Sequence, residues 1–157
     1  MEQIRLTLEQ VRAYATEKSF ARGEKYYWDD AIFDTVKRGS VIEAFCVAGS
    51  QPEPYYVTAT LNENGIAQAS CTCLYDAGGA CKHMVALLLT YVRRAQVFDE
   101  RPTIEASLNA RSKDELVALV QKMLTYYPDL KAVVDGSPHI SEQMEEGWDD
   151  DFDDDDD

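Results

Sequence analysis

The pattern of apolar and polar residues along the chain changes its period twice, and each change predicts a different kind of secondary structure. Near the N-terminus, apolar residues recur at helical spacing, which predicts one helix over residues 8–15 and another over residues 20–29. Thr7 and Gln10 have the spacing of a capping box for the first helix, and Ser19 is placed to cap the second. The chain is therefore predicted to begin with two short helices.

Between residues 32 and 73 the period is two, which is typical of β-strands. Four segments rich in β-branched and aromatic residues are separated by short turn sequences, and short turns favour antiparallel pairing of neighbouring strands. The predicted strands cover residues 32–36, 41–48, 55–61 and 66–73. The pattern therefore predicts a meander of three or four strands that ends in a cluster of cysteines.

Downstream of residue 80 the helical period returns. One amphipathic helix is predicted over residues 83–95, and a second over residues 113–126 behind a Ser112–Glu115 capping box. Pro128 is predicted to begin a short last helix. The whole pattern predicts an α+β fold, in which a small antiparallel β-meander and its adjoining helix are flanked by N- and C-terminal helices.

Charge is distributed unevenly. The formal net charge is −14, but residues 142–157 contain three Glu, eight Asp and no Lys or Arg, which leaves only −3 for residues 1–141. We call residues 142–157 the acidic tail. A segment of this composition buries too little apolar surface to fold alone, so it is predicted to be disordered and available to contact a basic partner.

Composition narrows the class of protein. A length of 157 residues and a hydrophobic content of 45% are typical of one globular domain with appendages. No apolar run approaches the length of about 18 residues that a membrane span needs, and the N-terminal residues do not resemble a secretory signal. We therefore expect a cytoplasmic protein, or one of the nucleoid or nucleus, where cysteines stay reduced.

The candidate chemistry is concentrated in one short segment, which reads CTCLYDAGGACKH from residue 71. Residues two apart on a strand point to the same side, so Cys71 and Cys73 are predicted to direct both sulfurs to one point. Gly78-Gly79 permits a tight reversal, after which Cys81 precedes a helix and His83 lies in or just before its first turn. Three thiolates and one imidazole suit one tetrahedral structural Zn²⁺ whose four ligands all come from the protein.

Other interpretations of the same residues remain open at the level of sequence. The cysteines would also suit a cluster of buried free thiols, a redox pair, iron–sulfur ligation, or a nucleophile with His83 as its base. The spacing favours zinc, because two pairs in phase at a glycine-containing reversal suit a metal site, and the usual Cys-x-x-Cys redox motif is absent. Cys46, in the second strand, is interpreted as a core thiol, and His139 as an exposed loop residue.

The motif CTC, seven residues, then CKH before an apolar helix resembles the SWIM zinc finger. The segment SFARGEKYYWDDAI at residues 19–32 is similar to the stretch that precedes bacterial SWIM motifs, and RSKDELVALVQKMLTYYPDL resembles the helical segment that often follows. The resemblance covers roughly residues 15–135. It implies a strand pair and a helix pinned by zinc through Cys71, Cys73, Cys81 and His83, and a role in binding DNA or proteins. The sequence departs from the family at Asp29-Asp30, where a glycine commonly precedes the next strand, and at Leu74, often a proline.

Together these features predict three parts: a SWIM-type zinc-binding domain with N-terminal helices (1–100), a C-terminal helical extension (101–136) and a disordered segment carrying the acidic tail (137–157). No catalytic constellation is found, so we expect a non-enzymatic module for protein–protein contacts, within a DNA-processing assembly. The alternative is a DNA-binding module whose acidic tail modulates binding. Its candidate phosphate-binding residues are Arg22, Lys25, Lys37, Arg38, Lys82, Arg93 and Arg94.

Aromatic residues at 26–28 would serve either function. Tyr26, Tyr27 and Trp28 lie beside Arg22 and Lys25, so they are candidates for stacking on nucleic-acid bases. At helical spacing the same side chains are more often part of the core, and this is the favoured interpretation.

Overall fold

The computed structural model describes residues 5–47, 49, 51–75 and 78–136. It confirms the predicted α+β class, with a five-stranded sheet and six α-helices in the described residues. The chain divides into two compact units, residues 1–107 and residues 108–157. None of the described helices combines the length and the apolar character needed to cross a membrane. The acidic tail and His139 lie outside the described residues.

Two N-terminal helices form where the pattern predicts them. Helix α1 (Leu8–Tyr14) begins at a Thr7–Gln10 capping box, as expected. Helix α2 (Glu17–Trp28) begins three residues before its predicted start, because the Thr16 hydroxyl accepts from the Ser19 N–H at 3.2 Å. The prediction that Ser19 caps this helix is therefore wrong.

The predicted meander forms with short adjustments of its ends. Strands β1 to β4 pair antiparallel in chain order, and a fifth strand, β5 (Asp99–Glu100), pairs parallel with β1. The four longer strands are β1 (Ile32–Arg38), β2 (Val41–Cys46), β3 (Tyr55–Asn62) and β4 (Gly65–Cys71). Strand β5 was not predicted, because two charged residues carry no strand pattern of their own.

The core lies between this sheet and helix α3 (Lys82–Arg94), which begins one residue before its predicted start. Alternate residues of the central strands are buried on one face, as in β2 where Ile42, Ala44 and Cys46 are buried. Helix α3 is buried along almost its whole length from His83 to Tyr91. Cys46 is completely buried, in agreement with its interpretation as a core thiol.

The C-terminal unit contains a second amphipathic helix. Helix α5 (Lys113–Tyr126) has the predicted bounds and the predicted Ser112–Glu115 capping box. A 3₁₀ turn (Pro128–Leu130) and helix α6 (Lys131–Val134) follow it. Helix α4 (Ile104–Asn109), across the boundary of the two units, was not predicted. None of residues 108–136 is buried, so the described part of this unit has helices without a core.

Candidate metal centre

The cysteine and histidine cluster is built from the end of β4 and the start of α3. Pairing with β3 continues one residue beyond Cys71, because the Thr72 N–H donates to the Tyr56 carbonyl at 3.1 Å and the Thr72 hydroxyl accepts from the Tyr56 N–H at 3.0 Å. Strand β4 ends at Cys71, so the prediction that the strand includes Cys73 is wrong. Cys73 follows in a bend directly after the strand.

The chain then reverses and enters helix α3. Gly78 and Gly79 have φ values of +79° and +71°, a left-handed conformation that glycine adopts without steric cost. Cys81 is the N-cap residue of α3 with extended backbone (φ −72°, ψ 166°), and its sulfur accepts from the Met84 N–H at 3.5 Å. His83 lies in the first turn. The predicted arrangement of Cys81 and His83 around the helix start is confirmed.

The four side chains converge with the spacing of a tetrahedral site. One ligand atom from each of Cys71, Cys73, Cys81 and His83 lies within 4.8 Å of the others. His83 Nδ1 lies 3.7 Å from Cys71 Sγ and 3.8 Å from Cys81 Sγ. Ligand atoms on a tetrahedral zinc are about 3.6–3.8 Å apart, since Zn–S is about 2.3 Å and Zn–N about 2.1 Å. The residues therefore fit a zinc ion, and Nδ1 is the imidazole nitrogen that faces the sulfurs.

Aromatic rings hold the histidine ligand in place. The Tyr55 ring centre lies 4.6 Å from that of His83, and the Tyr26 ring packs edge-on at 5.2 Å. His83 is only 4% exposed, and its Nε2 has no hydrogen-bond partner among the described residues. Most metal-binding histidines donate their second N–H to a carbonyl or carboxylate, so here ring packing takes over the orienting role.

The cysteines differ in their acidity. A hydrogen bond from the Cys71 thiol lowers the pKa of Cys81 to about 4, while the same contact raises the pKa of Cys71. Burial raises the pKa of Cys73, and it raises the pKa of Cys46 to about 12. Cys81 is thus the readiest thiolate of the cluster, and metal binding must displace protons from Cys71 and Cys73.

Most of the candidate phosphate-binding cations are engaged with carboxylates of the fold. Four of the seven form ion pairs of 2.7–2.9 Å, namely Lys37–Glu100, Arg38–Glu43, Arg93–Glu24 and Arg94–Asp30. Lys25 is exposed and forms no ion pair within the described ranges. Arg22 and Lys82 line a cavity of about 320 Å³ beside the metal ligands. The structure therefore brings together only two of the seven candidate phosphate-binding residues, Arg22 and Lys82.

This cavity includes residues that sequence reasoning did not select. Lys18 and Ser19 contribute from the first turn of α2, and Tyr75 contributes from the reversal between the two ligand pairs. The Ser19 and Tyr75 hydroxyls lie 3.2 Å apart, although the residues are 56 positions apart in sequence. No local pattern marks these residues, because only the packing of α2 against the start of α3 brings them to the metal centre.

The three aromatic residues at positions 26–28 differ in how far they are buried. Tyr27 is buried in the core, in agreement with the favoured interpretation, and Tyr26 is half-buried against His83. Trp28 is 69% exposed, which is not a core position. Arg93 lies over the Trp28 ring at 5.4 Å.

Comparison with known families supports the metal assignment. Residues 55–92 match the family model of the SWIM zinc finger, which covers strands β3 and β4, all four ligands and most of α3. The comparison with curated proteins and the comparison with solved structures each gave no match. The predicted SWIM zinc finger is therefore confirmed, and the cluster supports a single structural zinc ion held by Cys71, Cys73, Cys81 and His83.

Proposed function

We propose that this zinc-binding protein is a non-enzymatic module that mediates protein–protein contacts through the apolar surface of its C-terminal helical unit. The zinc centre supports a structural role, because four protein ligands fill a tetrahedral site and leave no position for a substrate or a reactive water. The N-terminal unit then acts as the rigid scaffold, and the C-terminal unit carries the contact surface.

The observation that carries this proposal is the exposure of apolar side chains in residues 108–136. Nine large apolar residues are exposed there, and such patches mark interaction sites in proteins. They are Leu108, Val117, Val120, Met123, Tyr126, Tyr127, Leu130, Val133 and Val134. Four basic and four acidic residues make the formal charge of this segment zero, so burial of apolar surface is the attraction that it offers.

Helix α5 suits a helix-in-groove contact. Val117, Val120 and Met123 recur every three residues, which places them near one face of the helix, and the capping box defines where that helix begins. Tyr126 and Tyr127 add two rings at the helix end, and tyrosine contributes large contact area at interfaces for little loss of conformational entropy.

The test uses a double variant of α5 and a matched control on the same helix. Val120→Glu with Met123→Glu places two charges on exposed apolar positions, so folding is preserved while a hydrophobic contact is lost. Lys122→Glu, also exposed, is the control. Affinity capture with quantitative mass spectrometry should recover partner proteins with the wild type and with the control, and lose them with the double variant. Equal recovery by all three forms would contradict the proposal.

DNA binding is the second candidate function, and it is supported by the cations Arg22, Lys25 and Lys82, which lack ion pairs within the described ranges. A salt titration of DNA binding, with and without residues 142–157, tests it. A steep fall of affinity with salt in the form without the acidic tail would favour DNA binding, because each phosphate contact releases counterions. Absence of binding at low salt would contradict it.

A further inference from the structure

The cavity beside the metal centre has the size and the walls of a small-ligand site. Its volume of about 320 Å³ lies at the lower end of the range for ligand pockets in proteins. It is lined by three of the metal ligands, by residues of α2, by Tyr75 and by the first residue of α3. Two of its polar side chains, Ser19 and His83, are each only 4% exposed. The cavity is thus part of the folded scaffold and does not depend on surface side chains alone.

Three cationic residues from two helices line this cavity. Lys18 and Arg22 come from α2, one turn apart, and Lys82 is the first residue of α3. None of the described residues that line it is acidic. Elsewhere in the N-terminal unit, the cations at positions 37, 38, 93, 94 and 101 each pair with a carboxylate within 3 Å. Three cations with no carboxylate among the described lining residues therefore distinguish this cavity from the five ion-paired cations.

The charge of the zinc centre would balance only one of these three positive charges. Three thiolates and a neutral imidazole around Zn²⁺ leave one net negative charge. Lys18, Arg22 and Lys82 together carry three positive charges, so two remain after the zinc centre is balanced. Two positive charges match a phosphate monoester, which carries about −1.5 to −2 near neutral pH.

The donors also suit phosphate geometry. The guanidinium of Arg22 is a planar fork of the kind that can bind two phosphate oxygens at once, and the lysine ammonium groups are compact charges on flexible stems. The Lys82 ammonium lies 4.8 Å from the centre of the Tyr26 ring. The Ser19 and Tyr75 hydroxyls hydrogen-bond to each other at 3.2 Å, which leaves one O–H of the pair to donate to a ligand. Helices α2 and α3 both begin at the cavity, and their N-terminal dipoles favour an anion there.

We propose that this cavity binds a terminal phosphate group, presented either by a small phosphorylated molecule or by a phosphorylated side chain of a protein. A nucleic-acid backbone fits less well, because a duplex is bound by a stripe of cations that contacts several phosphates in succession. Here the three cationic residues line a single cavity. This site goes beyond the proposed protein-contact function and does not depend on it.

Binding is tested on the zinc-loaded full chain by calorimetry and by ¹H–¹⁵N chemical-shift mapping. The probes are O-phospho-L-serine, a phosphoserine heptapeptide and its unphosphorylated form. We expect both phosphorylated probes to bind and to shift amides around residues 18–22 and 81–83, and the unphosphorylated peptide to leave them unchanged. Affinity should fall as the pH drops through about 6, where the phosphate takes up its second proton.

Variants assign the binding to the cavity. Lys18→Ala and Arg22→Ala should each weaken binding of O-phospho-L-serine about tenfold, because each removes one charge-assisted contact. Lys113→Ala removes the same charge from an exposed residue that is not among the described residues lining the cavity, and it should leave the affinity unchanged. Elemental analysis should find one zinc per chain in every variant, which separates loss of the ligand from loss of the fold.

Two results would overturn the proposal. One is absence of phosphate-dependent binding by the zinc-loaded wild type at millimolar probe. The other is a DNA duplex without terminal phosphates that binds at least as tightly as the phosphorylated probes and with the same dependence on Arg22. Tighter binding of the phosphopeptide than of O-phospho-L-serine identifies a phosphorylated protein as the source, and equal binding identifies a small molecule. The Val120→Glu and Met123→Glu double variant should bind both probes normally, so the two proposals fail independently.

Discussion

Helices α3 and α5 look alike in sequence and behave differently in the structure. Both are 13 or 14 residues long, begin at a side-chain cap and carry apolar residues at helical spacing. In α3, eight of the thirteen residues are buried, whereas no residue of α5 is buried. Amphipathic spacing therefore identifies a helix, but it does not reveal whether the apolar face is covered within the chain or offered to another molecule.

The difference in burial follows from the elements that each helix contacts. Helix α3 begins at the metal centre, packs along α2 and lies on the sheet, so its apolar residues are covered from several sides. Helix α5 is joined by short helical segments that are too small to enclose a core. The N-terminal unit should therefore respond strongly to changes in packing and metal, and the C-terminal unit weakly.

Removal of the zinc should lower stability more than any other change, and it should affect only the N-terminal unit. Cys73→Ser eliminates one ligand, and structural zinc contributes about 10–16 kcal/mol in zinc-finger peptides, as much as the whole stability of a small domain. We expect loss of bound zinc and of cooperative thermal unfolding. Hydrogen exchange should show α3 losing protection, while α5 is exchanged rapidly in both proteins.

The matched control for this experiment is the fourth cysteine. Cys46→Ala removes a buried thiol outside the cluster, so it should retain one zinc per chain and lose only about 1 kcal/mol of unfolding free energy. A Cys73→Ser protein that unfolds cooperatively within a few degrees of the wild type, or a wild type without zinc, would contradict the assignment of a structural metal.

Leucine-to-alanine substitutions should give the next largest difference in stability between the two helices. Leu87→Ala in α3 removes a completely buried side chain and should cost about 2–5 kcal/mol of unfolding free energy, measured by urea denaturation. Leu119→Ala in α5 removes a half-buried one and should cost less than about 1 kcal/mol. Equal costs for the two variants would mean that α5 has a cover in solution, such as a second copy of the chain.

Adding side-chain volume should also destabilise the contact between α2 and α3 and leave α5 almost unaffected, with a smaller difference than the leucine substitutions give. A Cβ at Gly23 in α2 would overlap the Val85 side chain and lie 2.9 Å from the Lys82 carbonyl, so Gly23→Ala must separate α2 from α3. Overpacking of this kind costs about 1–3 kcal/mol. Ala118→Leu, a larger addition at an exposed position of α5, should change stability by less than about 0.5 kcal/mol. A stabilising Gly23→Ala would show that the two helices separate easily.

Much of the fold could be predicted from local pattern, because the decisive interactions are local. Period and capping boxes identified α1, α3 and α5 within a residue or two, and in-phase spacing identified the four metal ligands. The cap of α2 was misplaced because Thr16 and Ser19 are both residue types that cap helices, and in the structure the Thr16 hydroxyl accepts from the Ser19 N–H. Strand β5 and the cavity beside the metal centre were not predictable, since both arise where residues distant in sequence are packed together.

Asp30, two residues before β1, offers the finest test, because its backbone adopts a conformation that L-residues rarely adopt. The φ of Asp30 is +50°, in the left-handed region that glycine adopts without steric cost. This conformation destabilises the fold by about 1–2 kcal/mol for most L-residues and by less for Asp. The Arg94–Asp30 ion pair of 2.8 Å is exposed, so it contributes little stability. We therefore expect Asp30→Gly to raise the free energy of unfolding by about 0.5 kcal/mol and Asp30→Ala to lower it by about 1 kcal/mol.

Asp30→Asn is the matched control for charge, since asparagine tolerates the same conformation but cannot pair with Arg94. It should stay within about 0.5 kcal/mol of the wild type, measured by urea denaturation of the zinc-loaded protein. If Asp30→Asn is as destabilising as Asp30→Ala, the ion pair rather than the backbone conformation holds this turn. If Gly and Asn both leave stability unchanged and only Ala lowers it, the left-handed conformation is what the turn requires, and aspartate meets that requirement nearly as well as glycine.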